Sequence, residues 1–103
     1  MRITLDIDGP AWKAWAAFYT HVSLSNKVEI YKTRTGFHVI GYGAPVETPE
    51  QVIRVRRWLG DDPVRIDLDE ALVKAGKPFQ ILWTKKNDFQ VKLLEVVENR
   101  NLD

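Results

Sequence analysis

The sequence predicts an α+β domain with a βαββαβ core, in which a four-stranded antiparallel sheet carries two helices on one face. Three observations predict it. Apolar and polar residues alternate at 2–8, 28–31, 37–42 and 79–84, the pattern of half-buried strands. Stretches with helical apolar spacing separate the first of these from the second and the third from the fourth. The chain has 103 residues, which suits one core, so 1–103 is read as a single domain.

In strand one, Ile3, Leu5 and Ile7 share one face and Thr4, Asp6 and Asp8 the other. Gly9-Pro10 then opens a helix, since proline suits a first helical turn, and Ala11, Trp15, Phe18 and Val22 follow at helical spacing to an end near Ser23. Val28 and Ile30 alternate with Glu29 and Tyr31 as strand two, Thr35-Gly36 supplies a turn, and residues 37–42 return as strand three. Thr48-Pro49-Glu50-Gln51 is a capping box that starts a second helix, which runs to about Leu59 and stops at Gly60.

Residues 61–77 form an excursion. Asp62-Pro63 suits a helix start, yet residues 64–69 alternate like a strand, so a short extended piece followed by a helical turn at 70–75 is expected. Phe79, Ile81 and Trp83 then alternate with Gln80, Leu82 and Thr84 as strand four. Beyond Asn87-Asp88, Phe89, Val91 and Leu93 alternate as an extra C-terminal strand, with a helix as the other reading.

Right-handed connection of these elements gives a ferredoxin-like or RRM-like sandwich with strand order four, one, three, two. Ile3, Leu5, Ile7, Val28, Ile30, Phe37, Val39, Ile81 and Trp83 then face the helices, leaving Asp6, Asp8, Tyr31, His38, Tyr42 and Thr84 on the other face. Strand one ends where its neighbour, strand three, begins. Asp6, Asp8 and His38 therefore converge at one edge, with Lys32, Arg34, Asp61, Asp62 and Arg65 emerging nearby. The plainer reading makes Asp8 a helix cap and His38 a strand histidine without a task.

Composition narrows the classes. Apolar residues make up 45% of the chain and charged residues 28%, enough for a packed interior. With no cysteine, disulfides and thiolate metal sites are excluded. No apolar run approaches a membrane span, and the opening residues lack a secretion-signal pattern, so a cytoplasmic protein without a membrane partner is expected. A net charge of +1 and a pI near 8.0 do not mark a nucleic-acid binder by bulk charge.

Leu5-Asp6-Ile7-Asp8 and Thr35-Gly36-Phe37-His38-Val39 resemble two motifs of the archaeo-eukaryotic primase superfamily, an acidic pair closing the first strand of an RRM-like core and a small-x-His motif on a later strand. The resemblance implies catalytic roles for Asp6, Asp8 and His38: Asp6 and Asp8 would hold divalent metal, Mg or Mn, and His38 would contact nucleotide phosphate. That family carries a third acid on a later strand. Here Ile81-Leu82-Trp83-Thr84 has none, and Asp67 and Asp69 are the acids that remain to replace it.

Gly36-Phe37-His38-Val39-Ile40-Gly41-Tyr42 is also similar in part to the third strand of RNA-recognition modules. Alternation puts Phe37 or His38 on the open face, never both. The acidic side of strand one favours His38.

The function expected is thus a replication-associated domain interacting with DNA or RNA, a reduced primase-like core. Lys32, Arg34, Arg54, Arg57, Lys85 and Lys86 are the candidate nucleic-acid-binding cations, although Arg54, Arg56 and Arg57 also suit a salt-bridged helix surface with Glu50. Trp12 and Trp58 are expected to be partly exposed. The alternative is a non-catalytic, homodimeric protein-interaction module using a sheet edge or an aromatic patch. A metal-free hydrolase is set aside, because no nucleophile motif places Ser23 or Ser25 beside His21 or His38.

Overall fold

A computed structural model describes residues 2–80, 85–86 and 89–98. The elements are β1 (Ile3–Asp8), α1 (Ala11–Val22), β2 (Lys27–Lys32), β3 (Gly36–Tyr42), α2 (Pro49–Leu59), α3 (Pro63–Lys74), β4 (Lys85–Lys86), β5 (Phe89–Gln90) and β6 (Lys92–Glu98). Four antiparallel strands form the main sheet in the order β1-β3-β2-β6, and β4 pairs with β5 alone. This is the α+β, βαββαβ-like arrangement of a ferredoxin-like or RRM-like domain, with helices packed against the sheet.

The fourth position differs from expectation. The C-terminal strand β6 joins the sheet at the β2 edge, whereas the expected strand at 79–84 was to lie beside β1. Phe79 is half-buried against the core, and Gln80 turns the chain with φ 62°. Residues 81–84, including Ile81, Trp83 and Thr84, lie outside the described residues.

Ile3, Leu5 and Ile7 of β1, Val28 and Ile30 of β2, and Phe37 and Val39 of β3 meet Ala14, Ala17 and Phe18 of α1 and Val52 and Leu59 of α2 in one core. Alternation therefore places the strand faces as read from sequence. Helix α1 approaches β3 closely at Gly41, where any Cβ would overlap the His21 ring.

Helix α2 has the expected capping box: Gln51 N–H donates to Thr48 Oγ1 at 3.2 Å, and Thr48 N–H donates to Gln51 Oε1 at 3.3 Å. Gly60 closes it at φ 87°. At α1 the N-cap is Pro10, with no side-chain cap bond, so Asp8 does not cap that helix.

The excursion is corrected more fully, because residues 63–74 form one continuous helix, α3. Asp62 Oδ1 accepts from Val64 N–H at 2.9 Å and from Arg65 N–H at 3.4 Å, with Pro63 in the first turn. The strand-like alternation misleads because α3 buries Ile66 together with the charged Asp69, while Val64 and Leu68 remain exposed. Of these apolar residues only Ile66 marks the inner face.

Candidate functional site

Register sets the site. β1 and β3 pair so that Asp6 stands opposite His38 and Asp8 opposite Gly36, both acids lying on the side of the sheet away from α1 and α2. His38 Nε2 is 3.8 Å from Asp6 Oδ1. Asp8 is exposed and accepts a hydrogen bond from Thr35 Oγ1 at 3.2 Å. A Cβ at Gly36 would collide with the Ile7 carbonyl and the Asp8 carboxylate. The glycine of the small-x-His motif thus lets β3 start close against the acidic end of β1.

Asp6 and His38 titrate away from their ordinary values. Burial pushes Asp6 up to about 6, helped by the charges of Asp8, Asp61 and Asp62 and opposed by Arg65. Burial also pulls His38 down to about 4, helped by Arg65 and opposed by Asp8. At neutral pH the pair is therefore an ionised carboxylate beside a neutral imidazole. That imidazole is only 6% exposed, so a ligand arriving from solvent reaches Asp8 before His38.

A cavity of about 310 Å³ opens at this end of β1, lined by Asp6, Asp8, Lys13, Asp61 and Asp62 among others. The four acids are not equally available. Asp62 caps α3, and Asp61 is buried, taking Arg56 Nε and Arg65 Nη1 at 2.7 Å each. Among the described residues, no group of three or more His, Cys, Asp or Glu side chains is arranged to hold a metal ion.

The two acids named to replace the missing third one are placed elsewhere. Asp69 is buried in an ion pair with Arg56 Nη1 at 2.7 Å. Asp67, largely exposed on α3, lies 3.6 Å from Arg57.

Sequence reasoning missed the network that holds the site. Arg56 is fully buried, not part of a salt-bridged surface, because α3 folds over α2 and presents Asp69 to it while Asp61 closes from the loop. Asp61 Oδ1 in turn accepts Asp6 N–H at 2.7 Å. The readable signal for α3 was its Asp62-Pro63 start, which the alternation of residues 64–69 outweighed.

The candidate cations fall on several elements. Lys32 braces its own hairpin, donating to the carbonyls of Thr33 and Gly36 at 2.9 and 3.1 Å and lying over the Phe37 ring. Arg34 is exposed in that hairpin turn, Arg54 and Arg57 line a groove between α2 and α3, and Arg57 is paired with Glu70. Lys85 and Lys86 form β4 of the separate two-stranded ladder.

Trp12 and Trp58 are exposed, at 67% and 70%, and flank a groove between α1 and α2. On the sheet face away from the helices, Tyr42 donates to Glu29 at 2.8 Å and, largely through burial, has its hydroxyl pushed up to about 12.

One pairing went unforeseen: Ser25 Oγ lies 2.9 Å from His21 Nδ1. Ser25 is 1% exposed and His21 0%, with Nε2 of His21 3.3 Å from the Ile3 carbonyl. The two polar groups satisfy each other inside the core, where no substrate reaches them.

No protein-family model matches the chain, and neither a curated protein nor a solved structure matches it. Among the described residues, no helix is long and apolar enough to cross a membrane.

Proposed function

We propose that the chain is a reduced primase-like, replication-associated module that binds DNA or RNA through phosphate and a divalent cation, Mg or Mn, at Asp6 and Asp8. The observation that carries this reading is the acidic terminus of β1, where Asp6 stands opposite His38 two residues before the exposed Asp8. Burial, and after it the charge of Asp8, makes Asp6 hard to ionise, and a divalent cation bound between the two carboxylates would offset both. Magnesium is often held by one or two carboxylates, with phosphate oxygens and water completing its shell. Such a cation needs no third protein acid.

In this reading Asp6 and Asp8 hold the cation, which neutralises phosphate charge when bound. His38, buried and neutral at working pH, lies 3.8 Å from Asp6 outside the cavity lining and reaches a phosphate oxygen only if the ligand displaces its cover, while Lys13, which lines the cavity, supplies a positive charge. Lys32, Arg34, Arg54, Arg57, Lys85 and Lys86 extend the contact to a nucleic-acid backbone. The test is calorimetric titration of Mn²⁺ in the presence of a single-stranded oligonucleotide. Heat that disappears in Asp6→Asn/Asp8→Asn supports the reading, and no heat from the parent protein ends it.

A second reading, a homodimeric protein-interaction module, is favoured by the far edge of the sheet. There β6 has no further strand partner among the described residues, and Leu93 and Leu94 are 52% and 45% exposed. Light scattering decides it, since a monomer at high concentration removes the dimer.

A further inference from the structure

Trp12 and Trp58 stand at the acidic end of β1. Trp12 lies in the first turn of α1, shortly after Asp8, and Trp58 in the last turn of α2, just before Asp61. Both indoles are mostly in water, at 67% and 70% exposure, although large aromatics ordinarily dominate the cores of small domains. They wall a groove of about 500 Å³ whose floor is the buried Ile7, Ala17 and Leu59. Ile7, Lys13 and Gly60 line both this groove and the cavity of about 310 Å³ that holds Asp6 and Asp8. The two hollows are therefore adjoining parts of one depression that wraps the end of β1, apolar on the helix side and acidic on the other. Lys13 stands at the junction, with its Nζ 5.8 Å from the centroid of the Trp12 ring, and the first turn of α1 around it carries no acid. The hydroxyl in the groove lining, Thr20 Oγ1, donates to the Ala16 carbonyl at 2.8 Å, which leaves Lys13 as the groove's polar contact for an occupant among the described residues.

We propose that the groove between Trp12 and Trp58 holds a base of single-stranded nucleic acid, stacked on an indole, while the adjoining phosphate lies between Lys13 and the cation at Asp8. This rests on the cation-and-phosphate reading above and adds the part of the ligand that meets the helices. Three features select this occupant. An indole wall favours a flat π-face, which every base has, so the stacking tolerates any sequence. In a duplex those faces are covered by neighbouring bases, so an unpaired strand is what offers them. Lys13 places positive charge at the junction of the two hollows, which complements a ligand whose apolar ring and anionic group are joined side by side. An apolar peptide or a second copy of the chain would fill the groove and leave both Lys13 and the acidic cavity without a part.

Fluorescence anisotropy of a labelled oligothymidylate in Mg²⁺ tests the groove. Trp12→Leu/Trp58→Leu, which keeps apolar bulk and loses the π-faces, is expected to bind about tenfold more weakly than the parent. Trp12→Phe/Trp58→Phe, which restores a ring, should bind close to the parent. Both positions are exposed, so these variants should fold. An abasic strand of the same length should bind the parent and the Leu variant equally. Equal oligothymidylate affinity in those two proteins overturns the groove assignment, and so does an equal weakening toward the abasic strand. A Leu variant that binds oligothymidylate normally but loses mass in light scattering overturns it too, since a second copy then occupies the groove. Mn²⁺ with inorganic phosphate, a ligand without a base, separates this claim from the one beneath it. Equal uptake of Mn²⁺ by the parent and the Leu variant, with oligothymidylate weakened in the variant, supports the cation site and the groove together. No uptake by the parent overturns the cation reading and the phosphate end of this proposal with it.

Discussion

The two edges of the main sheet solve the same problem differently. At β1, side chains from three places in the sequence, Asp61, Arg65 and Gln80, meet the outward backbone, and behind them a fully buried Arg56 holds Asp61 and Asp69. At β6 the strand ends the described sheet with a register shift opposite Ile30/Tyr31 and two exposed leucines. A bulge blunts an edge by twisting it, at little cost in ordered groups. The polar network at β1 does more, because it also fixes the backbone of Asp6 and so positions the candidate site.

Substitutions at the two edges should therefore differ in size. Arg56→Met leaves the buried Asp69 without its cation and Asp61 with Arg65 alone, and urea denaturation is expected to show a loss of about 3–5 kcal/mol; a loss under about 1 kcal/mol would mean the network is not what holds α3 to α2. Gln80→Leu leaves the Thr4 N–H and the Arg2 carbonyl without that partner, for an expected loss of about 1–3 kcal/mol. At the other edge, Leu93→Lys with Leu94→Lys should change stability by no more than about 0.5 kcal/mol, as exposed positions do. If the protein is a dimer through β6, the same pair should instead shift its mass in light scattering.

The electrostatics of the stitched edge give a pH signature. Asp6 has its pKa raised from 3.8 to about 6, so its ionisation costs stability progressively as pH rises through that window, and the cost is fully present above it. Asp6→Asn should accordingly stabilise the fold at pH 7, by about 1 kcal/mol once solvent screening of the partly exposed carboxyl is allowed for, and the gain should fade toward pH 4. His38 runs the other way. Its pKa falls from 6.5 to about 4, so its contribution is present above pH 6.5 and lost as pH drops toward 4. Thermal melts of His38→Gln should show a shallower acid slope than the parent, and an unchanged slope would mean that His38 is not buried as a neutral ring.

Much of this was legible in the sequence, for a physical reason. Period-two patterning in β1, β2 and β3 reports burial on one face, so the inward side chains of Ile3, Val28 and Val39 and the shared outer face of Asp6, Asp8 and His38 follow from alternation and strand adjacency. The register, by contrast, is shifted from the expected nearness of Asp8 to His38, setting Asp6 opposite His38 and Asp8 opposite Gly36. The capping box at Thr48 is local chemistry and was equally readable. Helix α3 was not, because besides Ile66 it turns Asp69 inward to Arg56 and leaves Val64 and Leu68 in solvent, against the rule that apolar residues mark the inner face. A buried ion pair is a tertiary event. Neither Arg56 nor Gln80 carries a local sign that its side chain will be taken inside, which is why the network behind the Asp6 backbone was missed.

The central claim is that the acidic end of β1 receives a divalent cation together with phosphate. Titrating Mn²⁺ into the protein with a single-stranded oligonucleotide, and following the electron paramagnetic resonance of free Mn²⁺, tests it most directly. Loss of the free-ion signal in the parent and its persistence in Asp6→Asn/Asp8→Asn is the predicted result. An undiminished signal in the parent, or equal loss in both proteins, would contradict it.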